Sequence, residues 1–203
     1  MPLPLQYSGA FMRPESTLIL GLAGSGKSSV IQELKQRGQA AFDADETCCL
    51  GVWYAADGRE VESMASCPDY HKTAQYLWDG KIVKELLRQV ATDPTIRCTY
   101  LAGISGNAVD HASLFDKVVY LDEDAHTLYD RINGREGVLF PWRLPPADVG
   151  PLTQTVERFR GEMNAIGALA VGPGLTVPQA ANAIMSYTGH PSPLNVPGVA
   201  HTI

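Results

Sequence analysis

The chain has 203 residues, of which 45% are hydrophobic, and a formal net charge of −6. This length suits one domain or at most two small ones, since domains usually hold roughly 100–200 residues. The acidic balance and the lack of a Lys/Arg-rich run argue against a nucleic-acid backbone or an anionic membrane as the main partner, but a small anionic ligand in a local pocket remains possible.

No apolar stretch approaches the ~18 residues of a transmembrane helix, and the segment MPLPLQYSGAFMRPEST lacks the basic start and apolar centre of a signal peptide. We therefore expect a cytoplasmic protein. The cysteines are accompanied by neither a C-x-x-C pair nor a histidine at ligand spacing, so buried or incidental thiols are favoured over a zinc or redox site. They are Cys48, Cys49, Cys67 and Cys98.

The first predicted elements are a strand at 17–22, which is a short apolar run typical of a strand buried on both faces, and a helix from 26 to about 37. The connection between them fits the phosphate-binding pattern G-x-x-x-x-G-K-[ST], or Walker A motif, at every fixed position. A strand before this motif and a helix after it are the context that the motif requires. The matching residues are Gly21, Gly26, Lys27 and Ser28.

The chemistry of phosphate binding explains this spacing. Glycines let backbone N–H groups curl around a phosphate, and the start of the helix adds its positive dipole end. Lys27 would reach the β- and γ-phosphates of a nucleoside triphosphate, and Ser28 would ligate Mg²⁺. The predicted nucleotide-binding residues of the loop are Gly21, Ala23, Gly24, Ser25, Gly26, Lys27, Ser28 and Ser29.

A second strand, predicted at 40–45, delivers two carboxylates at its C-terminal end. Asp43 and Asp45 are two residues apart, so along a strand they would point the same way. Asp45 could accept a proton from a substrate hydroxyl, and Asp43 could hold Mg²⁺ through water. An ordinary acidic loop, with Asp45 as a helix N-cap, is the alternative.

Residues 46–72 are predicted to form an irregular or hairpin insert with a turn at ADGRE, and a helix at 73–91 follows with apolar residues at helical spacing. The remaining predicted strands lie at 96–103, 117–123 and 168–174, and the helices at 107–115, 124–135, 153–166 and 177–187.

Strands that alternate with helices imply right-handed crossovers. The expected fold class is therefore α/β, in three layers: a mostly parallel sheet of about five strands with helices on both faces. Ligands bind such sheets beyond the C-terminal strand ends. The Pro/Gly-rich segment 189–203 is predicted to be a loosely held tail after one domain at 1–188.

Arg131 and Arg135 are four residues apart, which places them on one face of the predicted helix. The helix leads into a Pro/Gly-rich segment, so the pair suits a lid, at about 131–152, that closes over phosphates and neutralises transition-state charge. A solvated helix face, with Asp130 and Glu136 as local partners, is the alternative.

On these motifs, the chain resembles the P-loop small-molecule and nucleoside-monophosphate kinases, among them the adenylate, shikimate and gluconate kinases, and also AAA-type ATP-binding proteins. YLDEDAHTLYDRINGREG is similar to the adenylate kinase segment that leads into the lid, which implies that Arg131 lies near the adenine and Arg135 near the transferred phosphate. GQAAFDADET resembles shikimate and gluconate kinases, which implies that Asp43 and Asp45 serve magnesium and the acceptor hydroxyl.

The resemblance also places the 46–72 insert where such kinases bind the acceptor. Arg59 could hold an acceptor phosphate or carboxylate, and His71 and the insert's aromatic residues could contact the acceptor, or all of them could form the insert's own small core. Asn107, at the end of a predicted strand, could orient substrate or cap the following helix.

The expected function is ATP-dependent phosphoryl transfer to a hydroxyl or phosphate of a small metabolite or nucleotide, with ATP and Mg²⁺ as cofactors and Lys27, Asp45 and Arg135 as catalytic residues. The sequence lacks an N-K-x-D motif of the kind that marks GTPases. A regulatory nucleotide-binding ATPase, or a kinase that acts on a macromolecule, remains the alternative.

Overall fold

The structure is a computed structural model that describes residues 13–47, 50–62, 74–134 and 149–189. Its strands are β1 (Glu15–Leu20), β2 (Ala40–Asp43), β3 (Gly51–Tyr54), β4 (Glu60–Val61), β5 (Gln75–Trp78), β6 (Cys98–Gly103), β7 (Lys117–Leu121) and β8 (Leu169–Val171). Its α-helices are α1 (Lys27–Gln36), α2 (Gly80–Val90), α3 (Ala125–Asn133), α4 (Gly150–Ala165) and α5 (Val177–Tyr187), and a 3₁₀ helix spans Ala108–Leu114.

Five parallel strands form the main sheet, in the order β2-β6-β1-β7-β8. Asp43 of β2 is paired with Ala102 of β6, which is paired in turn with Ile19 of β1. The carboxyl ends of these strands therefore meet at one edge of the sheet. The loop after β1 and the acidic turn after β2 both leave from that edge, which is where open α/β sheets bind ligands.

Helices cover both faces of this sheet, so the expected three-layer α/β fold is confirmed. On one face, Ile19 and Tyr100 pack against α1 and α5. On the other, Leu18, Leu20 and Leu101 pack against α2, α4 and the 3₁₀ helix. The alternation along β1 explains its sequence, because a strand buried on both faces must be apolar at successive positions.

A second, antiparallel sheet of order β4-β3-β5 is inserted between β2 and α2. The predicted hairpin turn is confirmed: the backbone N–H of Ala55 donates to the carbonyl oxygen of Arg59 at 2.9 Å. On β3 and β5, the rings of Trp53 and Tyr76 lie 5.2 Å apart. The insert thus has its own aromatic contacts.

The prediction of one helix at 73–91 is wrong at its start. Gln75–Trp78 forms β5, and helix α2 begins only at Gly80. Asp79 caps this helix, since its side chain accepts a hydrogen bond from the backbone N–H of Lys81 at 2.7 Å. The physical reason is tertiary: Trp78 is 3% exposed in the core between the main sheet and α2, and strand pairing with β3 places it there. None of the described helices combines the length and apolar character needed to cross a membrane.

Candidate active site

The loop between β1 and α1 has the geometry that its glycines predict. Gly24 and Gly26 have φ angles of 82° and 94°, in the left-handed region that side chains disfavour. Helix α1 begins immediately afterwards at Lys27, and the backbone N–H of Val30 donates to the carbonyl oxygen of Gly26 at 3.0 Å. The N–H groups of the first turn are therefore available to an anion at the loop.

Lys27 is 8% exposed and reaches into the centre of this loop. Its Nζ donates to the carbonyl oxygens of Gly21 at 2.7 Å and Leu22 at 3.1 Å. Ser28 and Ser29 follow on the first turn of α1 with exposed side chains. The structure thus holds an ammonium group and accessible hydroxyls together at a helix N-terminus.

Asp43 and Asp45 lie at the same edge of the sheet. Asp43 ends β2, is 3% exposed, and accepts a hydrogen bond on Oδ1 from the backbone N–H of Asp45 at 3.0 Å. Its Oδ2 atom is buried and has no hydrogen-bond partner among the described residues. Asp45 lies in the turn after β2 and not on the strand, so the expectation that strand alternation orients both side chains is wrong.

The three charged groups are close enough to affect one another. Partial desolvation raises the pKa of Asp45, the neighbouring Asp43 charge raises this pKa further, and Lys27 lowers it. Asp45 nevertheless keeps contact with solvent. A carboxylate with a raised pKa that stays in contact with solvent is suited to act as a base.

The residues present fit a magnesium ion. Mg²⁺ prefers oxygen ligands, and near the phosphates of a nucleotide it usually keeps several waters and takes one or two protein groups. Ser28 offers an exposed hydroxyl, and Asp43 offers a buried carboxylate oxygen without a partner among the described residues.

Helix α3 brings Arg131 to the loop between β1 and α1. The side chain of Asp124 caps this helix by accepting a hydrogen bond from the backbone N–H of Thr127 at 2.9 Å. Arg131 Nη1 then donates to the carbonyl oxygen of Gly24 at 3.3 Å and to Glu123 Oε1 at 3.2 Å. Arg135 lies outside the described residues.

A cavity of about 440 Å³ opens between this loop, α3 and the connection from β8 to α5. Gly24, Ser25 and Gly26 line one side, and Glu123 and Arg131 line another. The remaining wall is mostly apolar and includes Leu121, Val171, Leu175, Val177 and Ala180. The cavity therefore adjoins the glycine loop and combines polar groups on two sides with an apolar wall.

Comparison with known proteins identifies the fold. No family model and no curated protein matches the sequence. Among solved structures, the chain is similar to a Thermus thermophilus protein (14% identity, 88% of this chain and 98% of that chain, TM-score 0.53) and to a sugar kinase from Janibacter sp. (13% identity, 87% and 95%, TM-score 0.51). The fold is that of the P-loop kinases.

A gluconokinase from Sinorhizobium meliloti is also similar (17% identity, 87% of this chain and 92% of that chain, TM-score 0.49). Deoxyadenosine and shikimate kinases are among the other matches. The two matches with TM-scores of 0.53 and 0.51 cover 88% and 87% of this chain, so the similarity of fold extends over most of it.

Asn107 has a structural role in this P-loop kinase fold that neither of its two predicted roles describes. Its Oδ1 accepts a hydrogen bond from the backbone N–H of Trp78 at 2.9 Å, and its Nδ2 donates to the carbonyl oxygen of Trp78 at 3.0 Å. It makes no side-chain cap on the 3₁₀ helix. Asn107 thus attaches β5 of the insert to the end of β6.

The other predicted insert residues are not brought to the loop by the described structure. Arg59 is mostly exposed in the hairpin turn, where its Nε lies 2.7 Å from Asp57 Oδ2. His71 lies outside the described residues. The sequence interpretation also missed Glu123, which is buried in the cavity wall. Its position just after a predicted strand, at the ligand-binding edge, could have indicated it.

Proposed function

We propose that this protein is an ATP-dependent kinase that transfers the γ-phosphoryl group to a hydroxyl or phosphate of a small metabolite or nucleotide. The observation that carries the proposal is the meeting of Lys27, Asp43 and Asp45 at one edge of the sheet, beside a glycine loop that opens α1. The loop supplies phosphate binding, and the carboxylates supply metal binding and a base.

Each residue would have a separate task. The loop amides and Lys27 would hold the β- and γ-phosphates, Ser28 and Asp43 would hold Mg²⁺, and Asp45 would accept the proton of the acceptor hydroxyl. Mg²⁺, when bound, would neutralise charge on the phosphates. A bond would form between the acceptor oxygen and the γ-phosphorus as the bond to the bridging oxygen breaks, which leaves ADP and the phosphorylated acceptor.

The 440 Å³ cavity would take the nucleoside part of ATP. It adjoins the loop at Gly24 and has an apolar wall on one side and Arg131 on another, which suits a flat base. We assign the acceptor to the side of the 46–72 insert, and the 131–152 segment, with Arg131 and Arg135, to a lid over the phosphates. Lid closure would exclude water and complete the charge neutralisation of the transition state.

The test is to incubate the purified protein with Mg·ATP and separate pools of nucleosides, nucleoside monophosphates, sugars and sugar acids. ADP release is followed above the background without acceptor. Acceleration by one pool, absent in Lys27→Ala, is the expected result. A flat low rate across all pools, with ATP binding intact, would instead favour a regulatory nucleotide-binding protein or a macromolecular acceptor.

A further inference from the structure

Glu123 is a buried carboxylate in the wall of the 440 Å³ cavity, two residues after the end of β7. Its side chain is 7% exposed, whereas that of its ion-pair partner Arg131 is 43% exposed. Oε1 accepts a hydrogen bond from Arg131 at 3.2 Å. Oε2 is buried and has no hydrogen-bond partner among the described residues.

An oxygen of this kind needs an explanation. Buried polar atoms in native proteins almost always have a hydrogen-bond partner, because a buried group without one forfeits its hydration. Asp43 Oδ2 shares this property and is accounted for by the proposed metal site. For Glu123 the cavity is the nearest source of a donor, because the residue lines it. Oε2 is closed to solvent, so a donor in the cavity would reach it after a small turn of the carboxylate.

Charge decides which part of a nucleotide can lie beside Glu123. A phosphate would be repelled by the carboxylate and is instead attracted to the loop, where Lys27 and the first turn of α1 lie. The cavity continues from that loop to Glu123 and to an apolar wall that includes Leu121 and Val171. In a bound nucleotide, the part beside Glu123 would therefore be the nucleoside and not the triphosphate.

We infer that Glu123 accepts a hydrogen bond from the nucleoside part of the bound nucleotide and thereby sets nucleotide preference. The donor is an N–H of the base or a ribose hydroxyl, since both offer a proton to a carboxylate oxygen. Arg131 holds the carboxylate in place through Oε1 and leaves Oε2 for the ligand. This inference rests on the nucleotide binding proposed above.

The experiment measures dissociation constants of magnesium nucleotides by calorimetry, for the wild type and for Glu123→Ala, Glu123→Gln and the exposed control Glu157→Gln. The probes are ATP, purine riboside triphosphate, which lacks the exocyclic amino group, and the 2′-deoxy and 3′-deoxy forms of ATP. GTP and ITP form a second pair that differs in an amino group. Thermal melting of each variant checks that it is folded.

The wild type is expected to bind one probe that lacks a donor about tenfold or more weakly than its parent nucleotide, as for a hydrogen bond to a charged group. If the probe without the amino group binds more weakly, the donor lies on the base. If a deoxy probe binds more weakly, the donor is a ribose hydroxyl. Glu123→Ala should remove this preference, Glu123→Gln should retain part of it through its remaining acceptor oxygen, and Glu157→Gln should keep it.

Two results would overturn the inference. In the first, the wild type binds all six nucleotides with the same affinity; this result can be interpreted without any variant. In the second, Glu123→Ala weakens the binding of every nucleotide by the same factor, which would mean that Glu123 only supports Arg131. Failure of the proposed kinase function looks different: the Glu123-dependent preference would persist while no acceptor pool accelerates ADP release.

Discussion

Lys27 is the residue on which phosphate binding is expected to depend most. Its ammonium group is held inside the loop by the carbonyl oxygens of Gly21 and Leu22, so little movement is needed to reach a phosphate there. Because phosphoryl transfer depends on positioning and charge neutralisation, removal of this cation affects the transition state directly.

We predict that Lys27→Ala lowers kcat with the preferred acceptor by about 10²–10³-fold or more, as for the loss of a preorganised electrostatic contact. The matched control is Lys35→Ala. Lys35 lies on the same helix but is exposed, and its Nζ lies 3.7 Å from Glu46 Oε2. Steady-state kinetics with both variants provide the measurement. A Lys27→Ala enzyme with near wild-type turnover would remove the basis of the mechanism.

Asp45 has a pKa above its ordinary value of 3.8, because of partial desolvation and the neighbouring Asp43 charge. A general base must be ionised, so the acid limb of the kcat/KM profile should lie above pH 3.8 and activity should fall as the pH drops through it. Asp45→Asn should abolish this limb together with most of the activity. If Asp45→Asn had the same kcat/KM as the wild type, Asp45 would be excluded as the base.

The same raised pKa makes a prediction about stability. The folded state disfavours the ionised form of Asp45, so its contribution to folding is favourable at low pH and is lost as the pH rises through the folded pKa. Asp45→Asn should therefore be more stable than wild type at pH 7, with the difference shrinking as the pH approaches 3.8. Urea unfolding at several pH values measures it, and a wild type more stable than the variant at pH 7 would contradict it.

At the scale of elements, the sequence predicts the nucleotide half of the fold better than the insert. Strand β1, its glycine loop and α1 follow from local rules, because a doubly buried strand and a G-x-x-x-x-G-K-S loop leave few alternatives. Strand β5 could not be predicted in this way, since Gln75–Trp78 owes its conformation to pairing with β3 and to burial of Trp78.

The backbone of β5 attaches the insert to the segment that follows β6. Asn107 binds the N–H and carbonyl groups of Trp78, His111 Nε2 lies 3.1 Å from the same carbonyl oxygen, and the backbone N–H of Gly106 donates to the carbonyl oxygen of Tyr76 at 2.9 Å. If the insert binds the acceptor, as proposed above, this junction would position it.

We predict that Asn107→Ala destabilises the protein by about 1–3 kcal/mol, since partly buried polar groups of Trp78 lose their partner. It should also raise KM for the acceptor more than the dissociation constant of the nucleotide, because the insert and the nucleotide loop are separate elements. Asn164→Ala, on the exposed face of α4, is the control. Equal effects of Asn107→Ala on both ligands would argue against a separate acceptor side.

Two glycines in regular elements should respond to alanine in opposite ways. Gly161 lies within α4 with no atom near an added Cβ, so Gly161→Ala should stabilise the protein by about 1 kcal/mol. An added Cβ at Gly51 of β3 would instead overlap the backbone of Leu77 on β5, so Gly51→Ala should destabilise it. Urea unfolding of both variants is the measurement, and a destabilised Gly161→Ala would contradict the helix geometry.

At the scale of the whole molecule, the glycine loop between β1 and α1 contacts parts of the chain that are distant in sequence. It leaves β1 at the centre of the sheet and opens α1 on one face, and the carbonyl oxygen of Gly24 accepts a hydrogen bond from Arg131 of α3 at 3.3 Å. The adjoining cavity is completed by the connection between β8 and α5. A ligand bound there would therefore hold several elements together.

Because a ligand at the loop would contact several elements, we predict that Mg·ATP stabilises the whole domain in one cooperative step. At ~100 times its dissociation constant, a ligand that binds only the folded state adds about 2.7 kcal/mol. For a domain of ~200 residues each kcal/mol raises Tm by about 2–4 °C, so a rise of about 5–11 °C is expected. Scanning calorimetry should show it in the wild type and in Lys35→Ala but not in Lys27→Ala. An undiminished rise in Lys27→Ala would mean that Lys27 does not contribute to binding of the triphosphate.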